Sequence, residues 1–499
     1  MTKQHAYITT AIPYVNGKPH IGNALDYLLA DIWARYQKQN GHEVRFQVGT
    51  DEHGNKIAAK AQANGLDPQG YVDSMYGNFK VLMEAVGAEY TDFIRTTDPH
   101  HVAAVQYIWQ RLAQAGLIYK HTYEGWYCVG HEAFFTDKEV HETGGICPDH
   151  QTPYERVSEE NYYLKASAFT EQIRQAITEG RMKIVPEFRK NEFLELIKNG
   201  VQDVSISRPR KTLSWGVPVP GDDSQVMYVW LDALANYITV LGYPDRADEW
   251  QAYWPADVQV IGKDILRFHA GIWPAMLLGL DLPLPKTLLV HGFVHVGGSK
   301  MSKTVGNVVD PMEIIQSYGA DAFRYFFARH IPTQDDGDFT WEKFEKAYNG
   351  ELGNDLGNLV QRVAAMLTRY QAGVIGDAPQ AEHDMTIYRD MMQRLEFDKA
   401  LDEVWSSVRS LNQYLERVKP WEIAKRRATD HDAESHLSEV LAYAASTLLQ
   451  IADELVPFMP ATAQAIHTIF GTGVVPADVP PLFPKRYIHT PDPRARVAS

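Results

Sequence analysis

The chain has 499 residues, which is enough for about three domains of ordinary size. Hydrophobic residues make up 45% and charged residues 22%, which excludes wholesale disorder, and a net charge of −15 excludes a wholly basic nucleic-acid coat. No run of about 18 apolar residues predicts a membrane span, and the N-terminus lacks the apolar region of a signal peptide. We therefore expect a soluble, cytoplasmic protein that binds no membrane.

The first elements along the chain predict a β–α–β unit. A short strand over 7–11 precedes apolar residues spaced i, i+3, i+4, i+7 over 21–36, and alternating apolar residues follow at 44–48. A second unit has a strand at 258–261, a helix over 265–276 and a strand at 287–290. This alternation predicts an α/β fold, a Rossmann-like open parallel sheet with helices on both faces.

The rest of the chain has a different pattern. Short aromatic and Gly-rich runs interrupt the α/β pattern from about 123 to 218, whereas a helix bundle is predicted after about 348, with helices over 356–373, 391–418 and 441–458. A Pro-rich tail after Gly471 predicts an extended strap. We expect a catalytic domain in two halves, at 1–122 and 219–290, separated by an insertion at 123–218. A connecting region at 291–347 and a helical domain with the strap at 348–499 follow.

Two loops carry residue types suited to a nucleotide. His20, Gly22 and Asn23 lie between the first strand and its helix, where free backbone N–H groups and the helix dipole favour an anion such as phosphate. Lys300 and Lys303 lie in a Gly-hinged loop after a later strand, where two ammonium groups can close on a polyphosphate. The alternatives are a simple helix cap and a solvated surface loop.

Together, H-I-G-N at 20–23 and K-M-S-K-T at 300–304 resemble the HIGH and KMSKS signatures of class I aminoacyl-tRNA synthetases. Within that class, A-I-P-Y at 11–14, G-T-D-E-H-G at 49–54, W-L-D-A at 230–233 and G-K-D-I at 262–265 are similar to the methionyl-tRNA synthetase family. The departures are Asn23 for a His and Thr304 for a Ser. The resemblance covers nearly the whole chain and implies a ligase that uses ATP with Mg²⁺ to activate L-methionine and transfers it to tRNA(Met).

The resemblance also implies roles for particular residues. Asp51 would hold the methionine ammonium, and Tyr14 or His269 would donate a weak hydrogen bond to the sulfur. His20, Asn23, Lys300 and Lys303 would act in catalysis. The implied methionine contacts are Ile12, Tyr14, Asp51, Trp230, Ala233, Leu234, Tyr237, Ile265 and His269. The implied ATP contacts are His20, Gly22, Asn23, Gly262, Asp264, Lys300 and Lys303. The alternative for the aromatic residues is ordinary core, because Trp230, Ala233, Leu234 and Tyr237 have helical spacing.

The insertion contains both cysteines of the chain in two similar knuckles. Cys128 and His131 are spaced C-x2-H, as are Cys147 and His150, and four N/S ligands suit a tetrahedral structural Zn²⁺. His141 is a spare candidate. Related synthetases mostly have Cys at all four positions, so the two histidines are a departure. The alternative is two buried cysteines beside surface histidines.

The helical region contains candidate RNA contacts. Asn358 and Arg362 lie one turn apart on one helix face, and Trp421 follows Lys419 and Pro420 at a helix start. The resemblance implies that these three read the CAU anticodon by stacking and by hydrogen bonds to base edges. The alternative for Trp421 is a hydrophobic staple, and the basic run 425–427 is either a phosphate-facing patch or a solvated face. We expect a monomer, because no room is left after Ser499 for the C-terminal appendage through which family dimers often form.

Two rival functions are compatible with parts of this pattern. One is a synthetase for another amino acid, but the leucine, isoleucine and valine enzymes carry a larger editing insertion than 123–218. Cysteine is disfavoured because both cysteines lie in the insertion. The other is a catalytically inactive tRNA-binding relative, suggested by Asn23. The retained Lys300, Lys303 and Asp51 argue against it.

Overall fold

The computed structural model describes residues 4–129, 133–149, 151–301, 307–377 and 384–489. A parallel six-stranded sheet lies at the centre, and we number its strands in chain order: His5–Thr10 (β1), Glu43–Thr50 (β2), Asp92–Arg95 (β3), Lys183–Val185 (β4), Val258–Gly262 (β5) and Thr287–His291 (β6). Their spatial order is β3-β2-β1-β5-β6-β4. The order reverses between β1 and β5, so a crevice opens beyond the carboxyl ends of these two strands. The predicted α/β fold is confirmed.

The first helix shows how the local sequence produces this layer. Helix Ile21–Gln39 begins at the N-cap His20 and ends at Asn40, after which Gly41 has a φ of +86°. Its periodic apolar residues pack on one face of the sheet, together with Ile8 of β1. Tyr7 points to the other face and packs with helices that include Val229–Thr239. The sheet is therefore covered on both sides, as the predicted pattern requires.

Helices surround the sheet and form the C-terminal region. The α-helices are Ile21–Gln39, Asn55–Ala63, Pro68–Val86, Pro99–Gln114, Asp137–Glu142, Thr170–Thr178, Glu187–Leu196, Val229–Thr239, Ala247–Tyr253, Trp273–Gly279, Pro311–Tyr318, Ala320–Arg329, Trp341–Ala347, Asn358–Gln371, Thr386–Gln393, Phe397–Val418, Pro420–Arg426, Ala433–Leu455 and Pro460–Phe470. The 3₁₀ segments are Ala166–Phe169 and Lys263–Ile265, and the π-helical segments are Phe268–Ile272 and Tyr348–Gly357. Among the helices of the described residues, none combines the length and the apolar composition that a membrane span requires.

Smaller sheets flank the central one. A four-stranded sheet contains Ala133–Phe135, Ile118–Cys128, Glu155–Leu164 and Val204–Ser205. A three-stranded sheet contains Pro218–Val219, Asp222–Met227 and Ser207–Pro209. Another contains Ser299–Lys300, Val294–Val296 and Gly337–Phe339. The last one carries the first of the two predicted loop lysines, Lys300.

The structure differs from the predicted elements in three places. Strand β4 lies within the range 123–218 but pairs with β6, and a three-residue strand is too short for its periodicity to be recognised. The helix predicted over 265–276 is divided into 3₁₀, π and α segments. The helix predicted over 391–418 is broken at Leu395, whose φ of +58° cannot continue an α-helix. The domain boundaries themselves stay predictions.

Candidate active site

The segment after β1 runs beside the residue that follows β2. Asp51 N–H donates to the carbonyl of Pro13 over 2.9 Å, and Val15 N–H donates to the carbonyl of Asp51 over 3.3 Å. Tyr14 and Asp51 form a parallel bridge between these segments. The pairing of the two segments therefore keeps Tyr14 and Asp51 side by side at the crevice.

His20 and Asn23 form a reciprocal cap on the first helix. The Nδ1 of His20 accepts from the backbone N–H of Gly22 over 3.1 Å, and the Oδ1 of Asn23 accepts from the backbone N–H of His20 over 3.1 Å. A neutral His20 therefore carries its proton on Nε2, and within the described part of the chain the Asn23 amide nitrogen donates to no other group. A Cβ on Gly22 would lie 2.9 Å from the His20 ring, so a larger residue here would displace the capping ring. The reciprocal cap therefore fixes the orientation of both side chains at the start of the helix.

His269 lies in a buried network on the opposite wall of the crevice. Its Nδ1 donates to the carbonyl of Ile265 over 3.0 Å, because a carbonyl can only accept, and its Nε2 therefore accepts from the hydroxyl of Tyr237 over 2.7 Å. Burial lowers the pKa of His269 to about 4, so the ring is neutral at pH 7. Both ring nitrogens of His269 are engaged in this arrangement, and a hydrogen bond to the methionine sulfur from Tyr14 or His269 stays a prediction.

The end of β5 meets the small sheet that carries Lys300. Gly262 ends β5, and a Cβ there would lie 2.8 Å from the Asp264 carboxylate, so glycine lets Asp264 fold back to the strand end. Lys263 contacts both carboxylate oxygens of Asp336 at 2.7 Å, and Asp336 also accepts from the backbone N–H of Phe293 over 2.9 Å. These bonds attach the sheet of Lys300 to the end of β5.

One cavity of about 580 Å³ joins these features. Every residue predicted to bind methionine or ATP lies on its wall, except Lys303, which is outside the described residues. The lining residues among them are Ile12, Tyr14, His20, Gly22, Asn23, Asp51, Trp230, Ala233, Leu234, Tyr237, Gly262, Asp264, Ile265, His269 and Lys300. The ammonium of Lys300 lies 5.0 Å from the centre of the Phe293 ring. Residues of both predicted loops and both β–α units thus meet at the switch point of the sheet.

Several residues near the cavity were not among the predicted site residues. Asp26, Asn236 and His291 line it, and Phe268 stacks on Trp230 with ring centres 3.6 Å apart. The Nε2 of His291 contacts Asp26 at 2.5 Å. Burial lowers the pKa of His291, but the Asp26 carboxylate outweighs burial, so the pKa lies above its usual value. The position of His291 at the carboxyl end of β6 was the available signal, because ligands bind outside that edge of a parallel sheet.

Comparison with known proteins gives a consistent result. The family described as tRNA synthetases class I (M) matches residues 6–159 and 150–364. A methionine–tRNA ligase of Caldanaerobacter subterraneus subsp. tengcongensis is 42% identical over 481 residues, covering 94% of this chain and 74% of that protein. A methionine–tRNA ligase of Brucella suis biovar 1 is 40% identical over 491 residues, covering 96% and 93%. The chain belongs to the methionyl-tRNA synthetase family.

Solved structures of methionyl-tRNA synthetase are similar over the whole fold. The Mycobacterium tuberculosis enzyme in complex with methionyl-adenylate has a TM-score of 0.90 and 34% identity, and the match covers 96% of this chain and all of that chain. The apo form of that enzyme has a TM-score of 0.84 and 30% identity, covering 97% and 99%. The family predicted from the two loop motifs is confirmed, and family membership argues against the rival amino acids.

The predicted zinc ligands are described only in part. Cys128 and Cys147 are both fully buried and share a small cluster with Val140 and Tyr154. His131 and His150 lie outside the described residues. Within the described ranges, no group of three or more His, Cys, Asp or Glu is arranged to hold a metal ion. His141 is exposed on helix Asp137–Glu142.

The three predicted anticodon contacts lie in the helical region. Asn358 and Arg362 are on one face of helix Asn358–Gln371, and Arg362 contacts Glu416 at 2.5 Å and Asn412 at 3.0 Å. Trp421 is half-buried in helix Pro420–Arg426. Asn412 and Glu416 lie in the last two turns of helix Phe397–Val418, and Trp421 lies in the next helix. The contacts of Arg362 are therefore with the end of the helix that precedes Trp421.

The basic run after Trp421 is paired with acidic side chains. Lys425 contacts Glu422 at 2.8 Å, and Arg427 contacts Glu434 at 3.1 Å. The Lys425–Glu422 pair is exposed and costs little to open, whereas Arg427 is half-buried and also donates to the carbonyl of Tyr370 over 2.9 Å. These contacts favour the reading of a solvated face over that of a phosphate-facing patch.

Proposed function

We propose that the chain is a methionine–tRNA ligase that joins L-methionine to ATP and then transfers the methionyl group to the 3′ end of tRNA(Met). The observation that supports this proposal is the cavity at the sheet switch point. Its wall combines a capped helix N-terminus with an amide donor, an apolar and aromatic wall, the carboxylate of Asp51 and the cation of Lys300. Because the chain belongs to the methionyl-tRNA synthetase family, we assign L-methionine, ATP and tRNA(Met) as the substrates of this cavity.

Methionine would bind with its ammonium at Asp51 and its side chain against the wall of helix Val229–Thr239. This wall presents Trp230, Ala233, Leu234 and Tyr237, which suit a polarisable thioether. His269 holds the Tyr237 hydroxyl in place as its acceptor. A neutral His269 places no charge beside the apolar side chain, and we propose Tyr14 as the remaining donor to the sulfur.

ATP would bind across the carboxyl ends of β1 and β5. The N–H groups at the start of helix Ile21–Gln39 face a phosphate, His20 and Asn23 add side-chain donors, and Asp264 accepts from the ribose hydroxyls. Gly22 lets the base approach the helix start. The Mg²⁺ that accompanies ATP in class I synthetases would neutralise charge on the phosphates.

The first reaction needs no nucleophile from the protein. A carboxylate oxygen of methionine attacks the α-phosphorus, the bond to the bridging oxygen breaks in line, and pyrophosphate leaves with that electron pair. Lys300 and Lys303 would stabilise the charge that develops on pyrophosphate, and His20 and Asn23 would hold the α-phosphate. A terminal ribose hydroxyl of tRNA, the 2′-hydroxyl by class I resemblance, then attacks the methionyl carbonyl and AMP leaves. The protein therefore accelerates both steps by positioning and by charge stabilisation.

We propose that residues 123–218 hold one structural Zn²⁺ on Cys128, His131, Cys147 and His150. The two buried sulfur donors in one cluster fit such a site, because thiolates are preferred ligands of structural zinc. Zinc there would stabilise the insertion outright. Metal analysis of protein purified without added zinc should find about one Zn²⁺ per chain. If the purified protein contains no metal and Cys128→Ser has an unchanged melting temperature, the two cysteines are ordinary buried thiols and the zinc site is wrong.

We also propose that residues 348–499 bind the anticodon through Asn358, Arg362 and Trp421, in a chain that acts as a monomer. An RNA partner must be bound locally, because the net charge of the chain is −15. A half-buried Trp421, together with the exposed Asn358 and the half-buried Arg362 on another helix, suits unpaired bases.

ATP–pyrophosphate exchange measured separately with each amino acid tests the proposed function. Exchange with methionine alone, followed by aminoacylation of a CAU-anticodon tRNA, is the expected result. Faster exchange with another amino acid would identify a different synthetase. tRNA binding without exchange would identify a catalytically inactive relative.

A further inference from the structure

Helix Val229–Thr239 has a polar stripe as well as the wall proposed for methionine. Asp232, Asn236 and Thr239 are spaced i, i+4, i+7, and each is 1% exposed or less. At about 100° per residue this stripe lies opposite Trp230, Leu234 and Tyr237. A buried helix face of this kind is usually apolar, so the stripe needs partners.

Asp232 has two charge-assisted partners from different elements. Its Oδ2 accepts from the Nδ1–H of His53 over 2.7 Å, and its Oδ1 accepts from the Nε2–H of His101 over 2.9 Å. His53 belongs to the loop after β2, whereas His101 belongs to helix Pro99–Gln114. Burial would raise the pKa of Asp232, but the two imidazoles outweigh burial and lower it to about 2.

The other two residues of the stripe also form hydrogen bonds with neighbouring elements. Asn236 accepts from the side chain of Gln47 in β2 over 2.7 Å, and the Thr239 hydroxyl contacts the Nδ1 of His101 at 2.7 Å. Apolar packing is non-directional and tolerates sliding, whereas these bonds allow only one rotation and one height of the helix. A buried carboxylate is also costly once a partner is lost.

His53 lies two residues after Asp51 in the same loop. The residue between them, Glu52, accepts from Arg95 over 2.8 Å and from Thr97 over 2.5 Å. The loop of Asp51 is thus attached to the protein through Glu52 on one side and through His53 to Asp232 on the other. The hydrogen bond between His53 and Asp232 therefore connects the loop of the proposed ammonium site to the helix that forms the proposed side-chain wall.

We propose that Asp232 is a positioning residue for methionine, which sets the distance between Asp51 and the wall of Trp230 and Tyr237 through its bonds to His53 and His101. The pocket then accepts an amino acid of one length. This inference rests on the proposed activation of methionine. It assigns no contact with substrate to Asp232, His53 or His101.

The test compares Asp232→Asn with Asp31→Asn in ATP–pyrophosphate exchange. Asp31 is a matched control, because it is a fully buried carboxylate that contacts Arg324 and Arg35 at 2.7 Å but does not line the cavity. Asp232→Asn should raise the KM for methionine about tenfold or more and leave the KM for ATP within about twofold, because the weakened bonds to His53 and His101 position the proposed methionine site and not the ATP site. Discrimination against ethionine, which is one methylene longer, should fall by about tenfold. Asp31→Asn should lower the melting temperature without this separation.

A second pair of variants keeps the test decisive if Asp232→Asn does not fold. His53→Gln retains an N–H donor for Asp232 and should keep the wild-type KM for methionine, whereas His53→Ala should raise it. Equal changes in both KM values, or a lower melting temperature alone, would overturn the positioning role. Wild-type protein that shows no methionine-dependent exchange would instead overturn the proposed function, and this inference with it.

Discussion

The cavity at the sheet edge and the helical region hold their polar side chains in different ways. In the cavity, the imidazoles of His20 and His269 each bond to the backbone, and His269 is fully enclosed. In the helical region, Arg362 contacts Glu416, whose side chain is 63% exposed, and the Asn358 amide donates to the Asn354 side chain over 3.5 Å. The first arrangement is fixed before any ligand arrives, whereas the second consists of contacts that water replaces at little cost.

This difference matches what each region would bind. A small substrate must be held to a fraction of an ångström for in-line attack, so the groups that surround it benefit from being preorganised. Unpaired RNA bases vary in position, and Arg362 must exchange Glu416 for a base edge before it can read one. We therefore expect changes in the cavity to affect rate, and changes in the helical region to affect tRNA selection alone.

Removal of the second lysine of the loop motif should have the largest effect. Lys303→Ala should slow adenylate formation by about 10²- to 10³-fold, by analogy with loss of an oxyanion donor, because the charge of Lys303 is needed chiefly as pyrophosphate departs. Methionine binding, measured by calorimetry without ATP, should be nearly unchanged. Equal losses of methionine affinity and of rate would contradict a role for Lys303 at the leaving group.

Acid should destabilise the protein through the buried His269. Its folded pKa of about 4 lies below the usual value of 6.5, so the unfolded chain takes up this proton first as the pH falls. The contribution to the free energy of unfolding is complete above about pH 6.5 and is lost towards pH 4, by about 2–3 kcal/mol at pH 4.5. Urea unfolding at pH 7.5 and 4.5 measures this loss. Between these two pH values, the free energy of unfolding of His269→Gln should fall by about 2–3 kcal/mol less than that of the wild type. Equal losses in both proteins would mean that His269 titrates normally.

The sequence predicted the parts of this molecule that depend on local pattern. Strands β1, β2, β5 and β6 and the first helix follow from periodicity, and the two loop motifs located one wall of the cavity. Pairings between distant residues were not predictable, because His53 and Asp232 are 179 positions apart and nothing in either motif shows that they meet. Strand β4 and the break at Leu395 were missed because tertiary contacts, and not local propensity, decide them.

Variants of Asn23 distinguish a role in capping the helix from a role in catalysis. Asn23→Ala removes both the cap acceptor and the amide donor and should raise the barrier to adenylate formation by about 1.5–3 kcal/mol, as for a lost bond to a charged oxygen. Asn23→His, which restores a donor, should be tolerated. Asn23→Asp keeps an acceptor for the His20 N–H and suits the helix dipole, so its melting temperature should stay near that of the wild type while exchange falls. If exchange survives in Asn23→Ala and Asn23→Asp, position 23 is only a cap.

The smallest expected effect tests the helical region directly. Trp421→Ala should cost about 1–3 kcal/mol in tRNA binding, because it removes a stacking partner for a base. Methionine and ATP do not reach this region, so exchange should be intact while aminoacylation of a CAU-anticodon tRNA falls by about one to two decades. Tyr414→Ala is the matched control, since Tyr414 is also half-buried in this region, with its ring centre 4.9 Å from that of Tyr443. If Trp421 is only a staple, both variants should lower the melting temperature and both assays in proportion, and discrimination between CAU and altered anticodons should not change.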